Sequence, residues 1–317
     1  MTESFHYSRE EYLTLRSEYD HLKLSAIAVK PRIESDEKIY PKGIIQFSHG
    51  MAEHKERYLD FMRFLSDHGY LCIIHDHRGH GESVVSPQDL GYFYTSDTDV
   101  ITEDLFTVTK YAKKRWPDLP LFMFSHSMGT LVARKYLKKH DSEIDALVLS
   151  GPPTENALAG FAVFLAKLFS AFGSDRKPNR ILNAITFLPY TMKFHSKFGW
   201  TSSNPESVAA YEKDPLCGFT FTANGFLNLY KLMKECFVFK DWKPKNKNLA
   251  IFMIAGAEDP VISSGAKFGK LEGQLSSLGY TNVKARLYEH MRHELLNETD
   301  NQRIYNDILE FFDSLYR

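Results

Sequence analysis

Six short apolar runs, most of them followed by a stretch of helical spacing, constrain this chain more than any other feature. Residues 43–48, 70–75, 121–125, 146–150, 249–255 and 283–288 read as strands buried on both faces, the pattern of a mostly parallel sheet. Residues 57–67, 99–116, 128–140, 264–278 and 302–316 repeat apolar side chains with helical period and supply the covering layers. The alternation predicts an α/β fold. An antiparallel hairpin, 12–18 and 21–29 about the break at Tyr19-Asp20, leads into the sheet and brings the expected total to eight strands.

Between residues 152 and 245 the rhythm stops, and the chain fills with aromatics, small residues and turn signals such as Lys177-Pro178-Asn179 and Asn204-Pro205. This segment reads as a mainly helical cap inserted into a core made of residues 1–151 and 246–317. Residues 157–172 are apolar except for Lys167 and Ser170, too short and interrupted to cross a bilayer, which takes about 20 residues. No transmembrane segment is expected. The plainer reading of 157–172 is a helix buried against the rest of the cap; the other is a helix that lines an acyl pocket or makes transient contact with a lipid interface.

With 39 basic against 40 acidic residues, the net charge of -1 gives no field that favours nucleic acid as a partner. The three cysteines, Cys72, Cys217 and Cys236, are an odd set without CxxC spacing, which suits a reducing compartment. Residues 1–6 carry no basic or apolar stretch of an export signal, so the expected location is cytoplasmic.

The chemistry concentrates at Leu121-Phe122-Met123-Phe124-Ser125-His126-Ser127-Met128-Gly129, a buried strand that ends in a tight turn and opens into a helix. A serine on such a turn is exposed by a strained backbone, and the residues two before and two after it must be small. Gly129 meets that demand and Ser125 stands where a glycine is usual. Taken alone, Ser127 is equally at home as a helix N-cap. A serine hydroxyl needs an imidazole to take its proton and a carboxylate to orient that imidazole. Two later strand-end loops provide candidates: Glu258 and Asp259 in one, His290 and His293 in the other. Chain order and loop position leave both choices open. The amide of Met128, at the start of its helix, and that of Met51, in the turn after residues 43–48, are placed to form an oxyanion hole. His49 and Gly50 support that turn, and His126 and Gly129 the elbow.

Four features together resemble the serine-hydrolase branch of the α/β-hydrolase superfamily that includes monoacylglycerol lipases and bacterial lysophospholipase-like proteins. They are His49-Gly50 with Glu53-His54, the run Asp76-His77-Arg78-Gly79-His80-Gly81-Glu82-Ser83, the elbow, and Asp259-Pro260-Val261 followed by Arg292-His293-Glu294. The resemblance implies a triad of Ser127, Asp259 and His293, oxyanion amides at Met51 and Met128, a cap between the sixth and seventh strands, and no cofactor or metal. The implied substrate is a small-molecule ester with a single acyl chain, as in a monoacylglycerol or lysophospholipid.

Three other readings compete. A proline-aminopeptidase-type peptidase would need an anionic cap surface for the substrate ammonium. The cap instead carries Phe161, Phe164, Phe169, Phe172, Phe187, Tyr190, Phe194, Phe198, Trp200, Phe219, Phe221 and Phe226, an expected apolar lining. A metal-dependent hydrolase is suggested by the spacing of His75, His77 and His80, although Gly79 stands where that pattern has an aspartate. A ligand-binding protein without catalysis would use the same pocket with no activated serine.

Overall fold

The computed structural model describes residues 9–31, 40–240 and 242–316; residues 1–6, read above for an export signal, lie outside them. Eight strands form one sheet: β1 (Glu10–Arg16), β2 (Lys23–Val29), β3 (Gly43–Ser48), β4 (Tyr70–His75), β5 (Leu121–His126), β6 (Ala146–Ser150), β7 (Ala250–Gly256) and β8 (Asn282–Tyr288). Their spatial order is β1-β2-β4-β3-β5-β6-β7-β8. β3 to β8 run parallel, while β2 is antiparallel to both β1 and β4. β3 to β7 are buried along their whole length, as the unbroken apolar runs require, whereas β1 and β8 at the edges alternate.

The hairpin turn is longer than the two-residue break read from the sequence. It spans residues 17–22, because His21 adopts a left-handed φ of 60° and the Ser17 and Leu22 backbones close the loop.

Successive strand residues point to opposite faces, which separates two apolar clusters. Ile44, Leu121, Met123 and Ile251 face α2 (Thr98–Arg115), α3 (Met128–His140) and α8 (Gly265–Leu278). Ile45, Phe122, Phe124 and Phe252 face α1 (Leu59–Asp67) and α9 (Asn301–Asp313). The helix predicted from residue 57 begins later, since residues 55–58 form a 3-10 turn. Ser264, read as helical, is the cap of α8, its hydroxyl accepting from the Lys267 N–H at 3.2 Å.

Between β6 and β7 the chain leaves the sheet for four helices: α4 (Ala159–Phe169), α5 (Arg180–Phe194), α6 (Pro205–Lys213) and α7 (Ala223–Glu235). The turn signals in this stretch are helix starts. Asn179 caps α5 through the Leu182 N–H, and Asn204 caps α6 with Pro205 in its first turn. α7 is anchored, its Phe226, Leu227, Leu229 and Leu232 belonging to the same cluster as α3. α4 corrects the expectation of a buried helix: only Ala159 and Ala166 are buried, and Phe161 and Phe164 are each 60% exposed. Among the described residues no helix is long and apolar enough to cross a membrane.

Candidate active site

The carboxyl ends of β3, β5, β6, β7 and β8 converge, and each contributes to one cluster, as expected for ligand sites in parallel sheets. β5 delivers Ser127 at φ 51° and ψ -119°, a strained conformation for a residue with a side chain. Its N–H is held by the Ser150 carbonyl at 2.9 Å. Gly129 is obligatory: a Cβ there would lie 2.1 Å from the Ser48 carbonyl oxygen and 2.6 Å from that of His49. Ser125 is tolerated in place of glycine because its hydroxyl folds aside and donates to the Val148 carbonyl at 2.8 Å.

The loop after β7 carries Asp259 and the loop after β8 carries His293, both buried. The Glu258 N–H donates to the Met291 carbonyl at 3.0 Å, fastening one loop to the other. His293 Nδ1 lies 2.8 Å from Asp259 Oδ2, and His293 Nε2 lies 2.7 Å from Ser127 Oγ. The carboxylate accepts a hydrogen bond from Nδ1–H, which leaves the unprotonated Nε2 to accept from the serine hydroxyl. Burial disfavours the imidazolium, but Asp259 outweighs it, and the His293 pKa rises above its ordinary value. Glu258 and His290 are not brought into the cluster: the His290 side chain is 92% exposed.

Met51 and Met128 both border the cavity above Ser127. The Met128 N–H, first in α3, has no intrahelical partner, and the helix dipole favours negative charge there. Among the described residues no acceptor takes the Met51 N–H. Gly50 lies directly under the serine, where a Cβ would be 3.1 Å from the Ser127 Cβ. His49 is a fixed strut: its Nε2 accepts the His77 N–H at 2.8 Å, so Nδ1 carries the proton and donates to the Gly50 carbonyl, also at 2.8 Å. The His126 ring packs 4.7 Å from that of His293, and burial together with this neighbour pushes its pKa down to about 4.

The sequence missed Gly151, whose φ of 57° places its backbone against the His293 ring, where a Cβ would meet Cε1 and Nδ1 at 2.9 Å. Its signal, a glycine directly after the β6 run, was present. Also missed was Arg57, which pairs with Glu53 four positions before it and with Glu294, the second contact being one that long-range folding alone creates.

The cavity above Ser127 is about 240 Å³ and is lined by Phe187, Leu188, Tyr190, Phe198, Trp200 and Phe219, with Leu229 and Met233 from α7. The expected lining is thus corrected. Phe161, Phe164 and Phe172 face outward, Phe169 packs partly buried against the core cluster, Phe194 packs under Arg292, and Phe221 and Phe226 are core residues. His75, His77 and His80 are buried in the turn beneath the site, and burial depresses their pKa values, to about 3 for His75 and about 4 for His80. They do not form a ligand set. Among the described residues the three-ligand cluster is His54, Asp214 and Cys217, where both His54 nitrogens are already bonded to Glu56 and Asp214.

The family described as Serine aminopeptidase, S33 matches residues 40–300. The chain belongs to the serine aminopeptidase S33 family. This family member is 26% identical over 284 residues to a monoacylglycerol lipase of Mycolicibacterium smegmatis, an alignment covering 86% of this chain and 89% of that one. It is 28% identical over 179 residues to the human monoglyceride lipase, covering 56% of this chain and 52% of the other. Among solved structures it is similar to a thermostable carboxyl esterase from Bacillus coagulans crystallised with glycerol, with a TM-score of 0.84, 25% identity and coverage of 98% of this chain and 100% of that one. A soluble variant of the Saccharomyces cerevisiae monoglyceride lipase, at 18% identity and a TM-score of 0.75 over 98% of this chain and 97% of that one, shares the fold. The architecture of this S33 member is the α/β-hydrolase fold.

Proposed function

We propose that this protein is a carboxylic-ester hydrolase that works through an acyl-enzyme, with Ser127 as nucleophile, His293 as general base and then acid, and Asp259 as the group that orients His293. The observation that carries this reading is the hydrogen-bonded chain from Ser127 Oγ through His293 to Asp259, at 2.7 and 2.8 Å, opening into an apolar cavity. Ser127 Oγ attacks the ester carbonyl as its proton passes to His293 Nε2. The carbonyl oxygen then carries the charge beside the Met51 and Met128 amides. Collapse expels the alcohol, which takes the proton from His293, and water repeats the sequence on the acyl-enzyme.

The substrate class we assign is a monoacylglycerol or similar single-chain lipid ester, in keeping with the monoacylglycerol lipases and esterase among its relatives. Leu188 and Ala184 of α5 line the cavity and also an outer apolar patch with Ile181, Ile185 and Met192. The two shared residues place the outer patch next to the cavity, where an acyl chain would enter. We read residues 152–245 as the cap of a core formed by the remainder, and the exposed faces of α4 and α5 as its transient contact with a lipid interface. The free, buried thiols of Cys72, Cys217 and Cys236 favour a cytoplasmic setting. Peptidase action is less supported, because the two carboxylates at the cavity, Glu53 and Glu294, are both paired with Arg57 and leave no free anion for a substrate ammonium.

The test is a panel of p-nitrophenyl esters, monoacylglycerols, lysophospholipids and aminoacyl amides, run on the wild type and Ser127→Ala with fluorophosphonate labelling of both. Ester turnover and labelling that vanish in Ser127→Ala support the reading; amide-only turnover or activity retained in Ser127→Ala refutes it. Phe161→Ser with Ile185→Ser should slow turnover of micellar monoacylglycerol and leave p-nitrophenyl acetate unchanged.

A further inference from the structure

Beneath the oxyanion turn lies a closed set of charges that the reaction above does not use. The Glu53 carboxylate is buried and gathers three donors: the Gly50 N–H at 2.5 Å and the Tyr58 hydroxyl at 2.7 Å on Oε1, and Arg57 Nη1 at 2.6 Å on Oε2. Arg57 continues to Glu294 with two bonds of 3.1 and 2.6 Å. Burial alone would raise the Glu294 pKa, but Arg57 holds it down at about 2. Glu294 directly follows His293, so one guanidinium joins the oxyanion turn to the loop of the general base.

The peptide that carries the Met51 N–H is held at its Gly50 carbonyl by His49 Nδ1 at 2.8 Å, and the peptides next beyond the two that flank Met51 are fixed as well. Gly50 donates to Glu53, and the Ala52 carbonyl accepts from the Tyr211 hydroxyl and the Gly218 N–H, each at 2.9 Å. Ala52 itself sits at φ 52°, a left-handed conformation that an alanine leaves unless its surroundings hold it. With its neighbours pinned on both sides, the Met51 amide has little freedom to turn. An oxyanion donor is effective because it is already aimed before charge develops.

We propose that Glu53 is a positioning residue for ester hydrolysis: acting through Gly50, and braced by Arg57 and Glu294, it aims the Met51 N–H at the developing oxyanion. This rests on the esterase reading of Ser127. The role differs from plain structural support in what it affects. It acts on the charged transition state and leaves ground-state binding in the apolar cavity alone.

The experiment compares wild type, Glu53→Ala, Glu53→Gln and Tyr211→Phe, with kcat and KM on a soluble p-nitrophenyl ester, thermal midpoints, and inhibition by an alkyl trifluoromethyl ketone. Ser127 Oγ adds to that ketone carbonyl, its proton passes to His293, and the former carbonyl oxygen holds the negative charge at the amides. A long-chain alcohol serves as the uncharged competitor. Glu53→Ala should lower kcat about 10- to 100-fold, part of the 10²- to 10³-fold expected when an oxyanion donor is lost, with KM changed less than about twofold. Ketone affinity should fall by a similar factor and alcohol affinity should not. Glu53→Gln, which keeps an acceptor for Gly50, should recover part of both.

Unchanged kcat and ketone affinity in folded Glu53→Ala, or equal losses for ketone and alcohol, overturn the proposal. If Glu53→Ala does not fold, Tyr211→Phe decides: it removes one clamp on Ala52 and should lower kcat and ketone affinity several-fold together, and no change in either overturns the assignment. Wild type that neither hydrolyses the ester nor takes the fluorophosphonate at Ser127 removes the esterase reading first, and this inference with it.

Discussion

Gly151→Ala adds one methyl group to the wall against which the His293 imidazole, the proposed general base, leans. That Cβ would stand 2.9 Å from His293 Cε1 and Nδ1 and 3.2 Å from Asp259 Oδ2, where ordinary contact begins at 3.4 Å. The ring must therefore withdraw by about 0.5 Å, and it carries both hydrogen bonds of the Ser127–His293–Asp259 chain. A misplacement of about 1 Å can cost on the order of 10²-fold, so half of that should lower kcat on the order of 10-fold. The alanine is also forced to φ 57°, a left-handed strain of about 1–2 kcal/mol. Gly279→Ala separates the two effects: that glycine ends α8 at φ 112° with no atom within 4 Å of the added Cβ. Both variants should show lower thermal midpoints, and only Gly151→Ala should show slower ester turnover and slower inactivation by a fluorophosphonate. Equal stability losses with unchanged turnover in Gly151→Ala would falsify the claim that this backbone sets the histidine.

Asp259→Asn should reduce kcat on the order of 10⁴-fold with near-native circular dichroism, because an amide cannot fix the Nδ1–H tautomer; His290→Ala should match wild type, its side chain being 92% exposed. Since His293 must be neutral to act as base and its pKa is raised, kcat/KM should fall as pH drops through a value above 6.5, and a limb centred below 6 would contradict the Asp259 pairing. His49, His75, His77, His80 and His126 all have pKa values lowered by burial, so the unfolded chain takes up protons at about pH 6.5 that the folded chain still refuses there, down to about 3 for His75 and about 4 for His80 and His126. Their contribution to stability is complete above pH 6.5 and declines on acidification by up to about 1.4 kcal/mol per group per pH unit, opposed by His54 and His293, whose pKa values are raised. Urea midpoints at pH 7.5 and pH 5 should differ markedly, and a flat profile would count against neutral burial of this cluster.

The strand and helix pattern was legible because buried strands and amphipathic helices leave local, periodic marks: β3 and β4 coincide with their runs at both ends, and β6 does as well. The elbow was legible for the same reason, since a strand, a serine and Gly129 lie within nine residues. Less legible were the edges of the hairpin and the 3-10 start before α1, where one left-handed residue or one tightened turn shifts a boundary without changing composition. Residues 152–245 are legible as an interruption of the strand-helix rhythm, but not which of their aromatics face the cavity. Helical period gives α4 a strong apolar signal whether its partner is protein or solvent.

Local sequence thus determined the sheet, the elbow and the chemical types in each strand-end loop, because those features depend on neighbours a few positions apart. Chain order and loop position left Asp259 against Glu258 and His293 against His290 open, and the resemblance favoured the first of each pair. Only tertiary structure brought Asp259 and His293 within hydrogen-bond distance of one another, left much of α4 exposed, and joined Glu53, Arg57 and Glu294. Those outcomes depend on distances between segments up to 237 positions apart, set by how helices and loops pack over the finished sheet.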